Sequence, residues 1–133
     1  MLAMSNISLS MSLEDYLESI IMIKEERGII RVKDVASKMK VATPSVVSAI
    51  KKLQQKGLVV HEHYGYIKLT TKGEKMGKEI YRKHKILTFF LHKILKLPKE
   101  TAEQDACAME HYITKEGLNK IIDFIKNFKK KEE

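Results

Sequence analysis

The spacing of apolar residues changes twice along the chain, and this constrains the fold more than any other feature. Residues 13–53 carry apolar side chains three or four positions apart, which is typical of helices packed on a core. Residues 58–69, LVVHEHYGYIKL, instead indicate two strands joined by a turn at Tyr64-Gly65. From residue 71 the helical spacing returns and continues to residue 128. We therefore expect a mainly α fold in which three helices and a β-hairpin precede further helices.

Residues with side-chain oxygens mark where the helices should begin. Ser12, Thr43 and Thr71 each precede a helical pattern and are predicted to cap its free backbone N–H groups. Pro44 suits the first helical position, where its missing N–H costs nothing, and Gly28 suits a helix end. The predicted helices span residues 12–26, 32–39, 43–56, 71–95, 99–113 and 115–128.

The distribution of charge favours a polyanionic partner. Residues 31–99 hold 17 basic and 4 acidic residues, whereas the two flanking segments hold 8 basic and 13 acidic residues. A basic middle segment favours nucleic acid, although a solvated surface with uneven charge has the same composition. No apolar run is long enough to cross a membrane, and the first 11 residues lack the pattern of a signal peptide. The single cysteine, Cys107, excludes an intrachain disulfide and favours a reducing, cytoplasmic location.

Three short helices followed by a hairpin is the element order of a winged helix-turn-helix. In that fold the third helix enters the major groove of DNA. One side of the predicted third helix is expected to be core and carries Val46, Val47, Ile50 and Leu53. The residues predicted to contact DNA are Thr43, Pro44, Ser45, Ser48, Ala49, Lys52 and Lys68. The alternative is an ordinary surface helix of an α+β protein.

A second group of residues has the spacing of a metal site. Cys107, Glu110 and His111 form the pattern C-x-x-E-H, which places a thiol, a carboxylate and an imidazole on one helix face. The alternative is a helix with an inert buried cysteine and two solvated polar residues.

Two other places could complete such a site. Asp15 and Glu18 lie three residues apart in the first helix, where their simplest role is to favour its N-terminal dipole. His84 lies in the apolar stripe of the long helix, where a histidine is usually a hydrogen-bonded core residue. If these helices pack together, their donors would suffice for one or two divalent ions.

Five segments, in this order and spacing, are characteristic of one protein family: LEDYLESIIMI, TPSVVSAIKKLQQKGLV, GYIKLTTKGEKMGKEI, YRKHKIL and DACAMEHYI. From Leu13 to Phe128 the chain resembles the diphtheria toxin repressor family of metal-dependent repressors, and within it the manganese transport regulator branch. The resemblance implies a homodimer with an N-terminal winged helix-turn-helix domain and an all-α dimerisation and metal-binding region. We expect an N-terminal extension, these two domains and a frayed charged tail, at residues 1–12, 13–70, 71–128 and 129–133.

The resemblance also implies a set of metal ligands. The matching positions are Asp15, Glu18, His84, Cys107, Glu110 and His111, with Glu103 as a candidate further ligand. Asp15 and Glu18 match the manganese-type members, whereas Cys107 stands where these have glutamate and matches the iron type. Thr88 replaces a glutamate of the iron-type ancillary site. The expected cofactor is Mn(II) or Fe(II), and the choice between them is open.

The expected function is a metal-dependent transcriptional repressor of metal-homeostasis genes that binds a palindromic operator, with the divalent metal as corepressor. Metal binding would hold two reading heads near one helical turn of DNA apart, or ~34 Å. The alternative is a winged-helix regulator that responds to a small ligand or to Cys107 oxidation without metal. An enzyme is not expected, because the sequence has no Gly-rich phosphate loop, H-E-x-x-H motif or nucleophile elbow.

The last predicted helix carries an apolar stripe that suits a dimer interface. The expected interface residues are Ile113, Leu118, Ile121, Ile122 and Ile125. The alternative is that the stripe packs within one subunit.

Overall fold

The computed structural model describes residues 9–132, which consist of six α-helices and one small sheet. The described chain divides into two units at Glu79–Ile80. The elements are α1 (Met11–Arg27), β1 (Ile30–Arg31), α2 (Val32–Met39), α3 (Thr43–Gln55), β2 (Val59–His61), β3 (Tyr66–Leu69), α4 (Thr71–Phe89), α5 (Lys99–Met109) and α6 (Lys115–Glu132). This confirms the predicted mainly α fold. The first eight residues of the predicted N-terminal extension lie outside the described residues.

The sheet contains the predicted hairpin and one strand that was not predicted. β3 lies in the centre and pairs antiparallel with β2 on one side and β1 on the other. A 3₁₀ turn at His63–Gly65 joins β2 to β3, and its Tyr64 and Gly65 have positive φ angles of 68° and 79°. β1 could not be predicted, because two residues are too few to show alternation.

The core of the first unit follows the apolar spacing. Leu17, Ile20, Val46, Ile50 and Leu53 are fully buried, and burial of each such side chain contributes about 1.5–3 kcal/mol. α2 has the predicted bounds and α1 ends at the predicted Gly28, whose φ of 79° suits glycine. Because α1 to α3 pack on one core, the outer face of α3 is left to solvent.

The predicted caps were wrong by one or two positions. Ser10, not Ser12, caps α1, and its Oγ accepts from the N–H of Leu13 at 3.2 Å. Thr70, not Thr71, caps α4 by accepting from Gly73 N–H at 3.0 Å. Thr43 is the first residue of α3 and follows Ala42, which has no capping side chain. An N-cap needs an extended backbone outside the helix, and neighbouring Ser or Thr residues give the same sequence pattern.

The start of α4 is held tightly against the segment that precedes β2. Thr70 donates its N–H to the carbonyl of Leu58 (3.1 Å) and its hydroxyl to the carbonyl of Gly57 (2.7 Å). A Cβ atom at Gly73 would overlap the Leu58 carbonyl oxygen, so only glycine allows this close approach. The hairpin and the first turn of α4 are therefore joined as one rigid piece.

An ion-pair network ties the same turn of α4 to the end of α1. The carboxylate of Glu74 accepts from the ammonium of Lys78 at 2.9 Å and from that of Lys24 at 3.1 Å. These two hydrogen bonds, with that of Lys78 the stronger, hold the pKa of Glu74 below its ordinary value. All three groups face solvent, so their contribution to stability is small.

The second unit has its own apolar core. Its buried residues are Leu87, Leu91, Ala102, Ala106 and Leu118. Ile113, Ile121 and Ile122 are partly buried and pack against this core. Leu118, which is 4% exposed, is therefore a core residue of one chain, and its assignment to the dimer interface was wrong. Part of the face of α6 that the sequence suggested for a partner subunit thus packs against α4 and α5 of the same chain.

The helical bounds of the second unit differ from those predicted at both ends. After α4 the chain forms a π-helical turn at Phe90–Ile94, and α5 ends at Met109 rather than at residue 113. α6 continues to Glu132, so the prediction of a frayed tail from residue 129 was wrong. Lys129 contributes to this extension, since its ammonium lies 4.7 Å from the centre of the Phe89 ring. No helix of residues 9–132 combines the length and apolarity needed to cross a bilayer.

Candidate metal centre and nucleic-acid surface

The end of α5 carries three of the predicted metal ligands. Cys107 lies on the last turn of the helix, Glu110 is its C-cap, and His111 follows in the turn. Cys107 and His111 are half-buried, and their sulfur and a ring nitrogen lie within 4.8 Å of each other. A spacing of four residues places the imidazole and the thiol on the same side of the helix end, and together they form a sulfur–nitrogen donor pair.

A second donor pair links α4 to the same turn. The Nδ1 atom of His84 lies 2.8 Å from Oε1 of Glu110, whose side chain is fully buried. Oε2 of Glu110 is also buried and has no hydrogen-bond partner within residues 9–132. Burying such an oxygen is costly unless it meets a hydrogen-bond donor or a cation. His84 is thus hydrogen-bonded, as a core histidine would be, but its partner is itself a candidate ligand.

The two predicted ligands of α1 lie beyond its first turn, in which Glu14 is the acidic residue. Glu18 is 6% exposed and Asp15 is half-buried. Favouring the helix dipole is a role of first-turn acids, so it does not account for these two carboxylates. The burial of these two carboxylates therefore indicates a role beyond the stabilisation of α1.

The chemistry of these donors suits a divalent transition metal. Carboxylate oxygens favour Mn(II), imidazoles suit most first-row metals, and a thiolate favours Fe(II), Co(II) or Zn(II). The observation that indicates a cation is the buried Oε2 atom of Glu110, which has no hydrogen-bond partner within residues 9–132. Glu103, the candidate further ligand, is exposed on α5 and belongs to neither donor pair. The carboxylate, imidazole and thiol groups described above are therefore suitable ligands for a divalent metal ion.

The outer face of α3 is polar and accessible, as the DNA-binding prediction requires. Thr43, Pro44, Ser45, Ser48 and Lys52 are exposed. Small polar side chains let a helix backbone come close to base edges, and a lysine can reach phosphate or guanine.

One predicted contact on this helix is less exposed than its neighbours. Ala49 is only 5% exposed, yet it lines the same groove as Ser45, Ser48 and Lys52, whereas Val47, which was expected in the core, is half-buried. The buried sector of α3 thus differs from an ideal projection of its apolar residues, and the contact of Ala49 with DNA stays a prediction. Lys68 is exposed on β3, where its ammonium pairs with Glu62 at 3.2 Å.

Two features of the surface around α3 could not be predicted from the sequence. Ser10 and Ser12, at the start of α1, line a groove together with Ser45, Ser48 and Lys52 of α3. A second groove joins the hairpin to β1. Apolar spacing carries no information about polar residues that meet across elements, so only the folded chain shows these grooves.

Two family models match the chain. The model described as iron dependent repressor, N-terminal DNA binding domain, matches residues 8–67. The model described as iron dependent repressor, metal binding and dimerisation domain, matches residues 70–133.

Two curated relatives match over most of their length. The chain is 35% identical to the HTH-type transcriptional regulator MntR of Shouchella clausii over 121 residues, which cover 91% of this chain and 84% of that protein. It is 38% identical to an uncharacterized HTH-type transcriptional regulator of Methanocaldococcus jannaschii over 124 residues, which cover 92% of this chain and 99% of that protein.

Solved structures of metal-responsive regulators share the fold. The manganese regulator SloR matches with a TM-score of 0.75 and 30% identity, over 86% of this chain and 53% of that chain. The metal-dependent transcriptional regulator MtsR matches with a TM-score of 0.77 and 31% identity, again over 86% and 53%. The chain therefore spans about half the length of these two solved chains.

Proposed function

The chain belongs to the iron-dependent repressor family, the diphtheria toxin repressor family of its sequence resemblance, and on this premise we propose that it represses metal-homeostasis genes in response to Mn(II) or Fe(II). It is a transcriptional regulator rather than an enzyme. It has the DNA-binding domain and the metal-binding and dimerisation domain of the family. We place the boundary between these functional domains at residues 70–71 and the site of action in the cytoplasm, where Cys107 stays reduced.

The observation that carries this proposal is the pair of donor groups around the end of α5. His84 with Glu110, and Cys107 with His111, each offer two ligand atoms in the second unit. A divalent transition metal takes about four to six donors, so neither pair is sufficient alone. We propose that Asp15 and Glu18 supply the missing oxygens. Their burial and their hard-donor chemistry support this assignment.

Charge links the proposed ligands to DNA binding. Asp15, Glu18 and Glu110 repel one another when ionised, and a bound divalent cation supplies the positive charge that makes their approach favourable. Because the two acids belong to the DNA-binding domain, bringing them to the donors of the second domain restricts how the reading heads are held. Linkage then requires DNA to raise metal affinity by the factor by which metal raises DNA affinity.

The proposed DNA complex is symmetric. Two reading heads of a homodimer would place their α3 helices in major grooves about 34 Å apart on a palindromic operator. Thr43, Pro44, Ser45, Ser48 and Lys52 would contact the DNA from α3, with Lys68 at the wing. The half-buried Ile113, Ile121, Ile122 and Ile125 remain suited to the dimer interface, since each keeps accessible apolar surface.

Chelation tests the metal requirement. We expect affinity for an operator, selected from random duplex DNA in Mn(II), to fall about 5- to 150-fold when EDTA replaces the metal, the range of ordinary allosteric coupling. Fluorescence anisotropy with labelled duplex measures both states of the full chain. Equal binding in EDTA and in Mn(II) or Fe(II) would favour the metal-independent regulator instead.

Cys107 is expected to influence which metal is preferred. Replacing Cys107 by Glu substitutes a hard oxygen for the soft sulfur and should shift the ratio of Mn(II) to Zn(II) affinity toward manganese by about tenfold, or about 1.4 kcal/mol. Isothermal titration of each metal into apo protein gives the ratio. Ala108→Glu is the matched control, because it adds the same carboxylate at the exposed neighbouring position. An unchanged ratio in Cys107→Glu would remove the thiol from the ligand set.

A further inference from the structure

The end of α2 is joined to α1 by a hydrogen bond to sulfur. The hydroxyl of Ser19, a residue that is 7% exposed, donates to the Sδ atom of Met39, and 2.9 Å separates the oxygen from the sulfur. A thioether is a weak acceptor, so this buried donor has a poorer partner than buried hydroxyls usually find. Met39 itself is half-buried, which leaves its side chain within reach of small solutes.

Met39 is the last residue of α2 and lies directly before the turn that leads to α3. The next residue, Lys40, has a left-handed backbone with φ 59°. The N–H of Val41 then returns to the carbonyl of Ala36 at 3.0 Å, which ties the turn to α2. Because so short and constrained a turn absorbs little movement, a displacement of Met39 relative to α1 is passed on to Thr43 and the rest of α3.

The thioether of Met39 can accept one oxygen atom from a peroxide. With hydrogen peroxide, the sulfur donates an electron pair to one oxygen, the O–O bond breaks, and the other oxygen leaves as water after it takes the proton of the oxygen that stays. The sulfur is oxidised by two electrons and the peroxide is reduced by two. The sulfoxide is polar and chiral, and its oxygen is a stronger hydrogen-bond acceptor than a thioether sulfur.

We propose that Met39 is a reversible oxidation site whose sulfoxide weakens DNA binding by α3. The hydroxyl of Ser19 occupies one lone pair of the sulfur, so oxygen adds to the other and gives a single sulfoxide epimer. The new oxygen then replaces the sulfur as acceptor for Ser19, at about 2.7 Å, and the sulfur must move away from Oγ to make room. The effect on DNA rests on the proposed function, whereas the oxidation site does not.

Peptide mass spectrometry after treatment of the full apo chain with hydrogen peroxide tests the site and its stereochemistry. Cys107 is first blocked as a mixed disulfide and later released with dithiothreitol, which leaves sulfoxides intact. Of the two methionine sulfoxide reductases, each specific for one epimer, we expect one alone to reduce the Met39 peptide completely. Ser19→Ala opens both lone pairs, so its peptide should need both enzymes. Equal epimers in the unsubstituted chain, or no sulfoxide at Met39, would overturn the proposal.

Fluorescence anisotropy with the selected operator in Mn(II) tests the consequence for DNA. The oxidised chain should bind about tenfold more weakly than the untreated chain, within the range of ordinary coupling. Met39→Leu keeps the side-chain volume without the sulfur and should lose no affinity on oxidation, whereas Met22→Leu, at a half-buried position of α1, should lose as much as the unsubstituted chain. Equal losses in both variants would overturn the role of Met39. Absence of operator binding by the untreated chain would overturn the proposed function, and the epimer measurement would still decide the oxidation site.

Discussion

Glu110→Gln is expected to lower the affinity of the protein for Mn(II) by at least about 100-fold, since loss of a group that only supports a ligand already costs 10- to 100-fold. The substitution keeps the shape of the side chain and removes its charge. Oε2 of Glu110 is buried without a hydrogen-bond partner within residues 9–132, and Oε1 meets His84 at 2.8 Å. The variant should therefore lose the negative charge that a buried cation would balance. Isothermal titration of Mn(II) into the apo protein measures the loss.

Thermal unfolding distinguishes a lost ligand from a damaged fold. Without metal, Glu110→Gln should melt at or above the temperature of the unsubstituted chain, because it buries a neutral group in place of a carboxylate. With metal at 100 times the dissociation constant, the unsubstituted chain gains about 2.7 kcal/mol and the variant gains far less. Glu100→Gln, an exposed acid on the first turn of α5, makes the same chemical change and should behave like the unsubstituted chain. Equal Mn(II) affinity in Glu110→Gln would remove Glu110 from the site.

Ser48→Glu should have the largest effect on DNA binding, with a loss of about 100-fold in affinity for the selected operator. Ser48 is exposed in the middle of the outer face of α3. A glutamate there replaces a small hydroxyl by a longer anion that points at phosphates and base edges. Fluorescence anisotropy in saturating Mn(II) gives the affinity, and isothermal titration should show that metal binding is unchanged.

The control for this variant places the same charge away from the proposed interface. Asn119 is exposed on α6 in the second unit, so Asn119→Glu should change DNA affinity only by the small effect of net charge. If both variants bind DNA as the unsubstituted chain does, α3 is not the reading helix. If both lose affinity equally, overall charge rather than the face of α3 governs binding.

The fold was largely predictable because apolar spacing records which side of each element is buried. α2 begins and ends at the predicted residues, and the hairpin turns at Tyr64-Gly65 as expected. The caps at Ser12 and Thr71 were displaced because Ser10 and Thr70 offer the same chemistry one or two residues earlier. The spacing of apolar residues also cannot distinguish a dimer interface from the core of one subunit. Leu118, predicted for the interface, belongs to the core of one chain.

The candidate site was predictable in its chemistry and only partly in its geometry. The C-x-x-E-H pattern identified three donors and placed them on one helix face. Glu110 and Ile113 keep helical hydrogen bonds past the end of α5 at Met109, yet Glu110 meets His84, whereas His111 lies near Cys107. The membership of Asp15 and Glu18 stays a prediction, supported by their burial. Tyr64 was recognised only as part of a turn, because exposure and φ are properties of the folded chain.

The junction between β3 and α4 is one residue long, and this gives chain length an unusual importance there. Most surface connections tolerate insertions at little cost. Here the hydroxyl of Thr70 donates to the carbonyl of Gly57 and accepts from the N–H of Gly73, and Gly73 has no room for a side chain. An added residue therefore cannot be accommodated as a local bulge. It would instead rotate the helix, turning the side chains of α4 up to Glu79 by about 100° relative to the hairpin and advancing them by about 1.5 Å. The number of residues between β3 and α4 therefore fixes the rotation of this part of α4 relative to the hairpin.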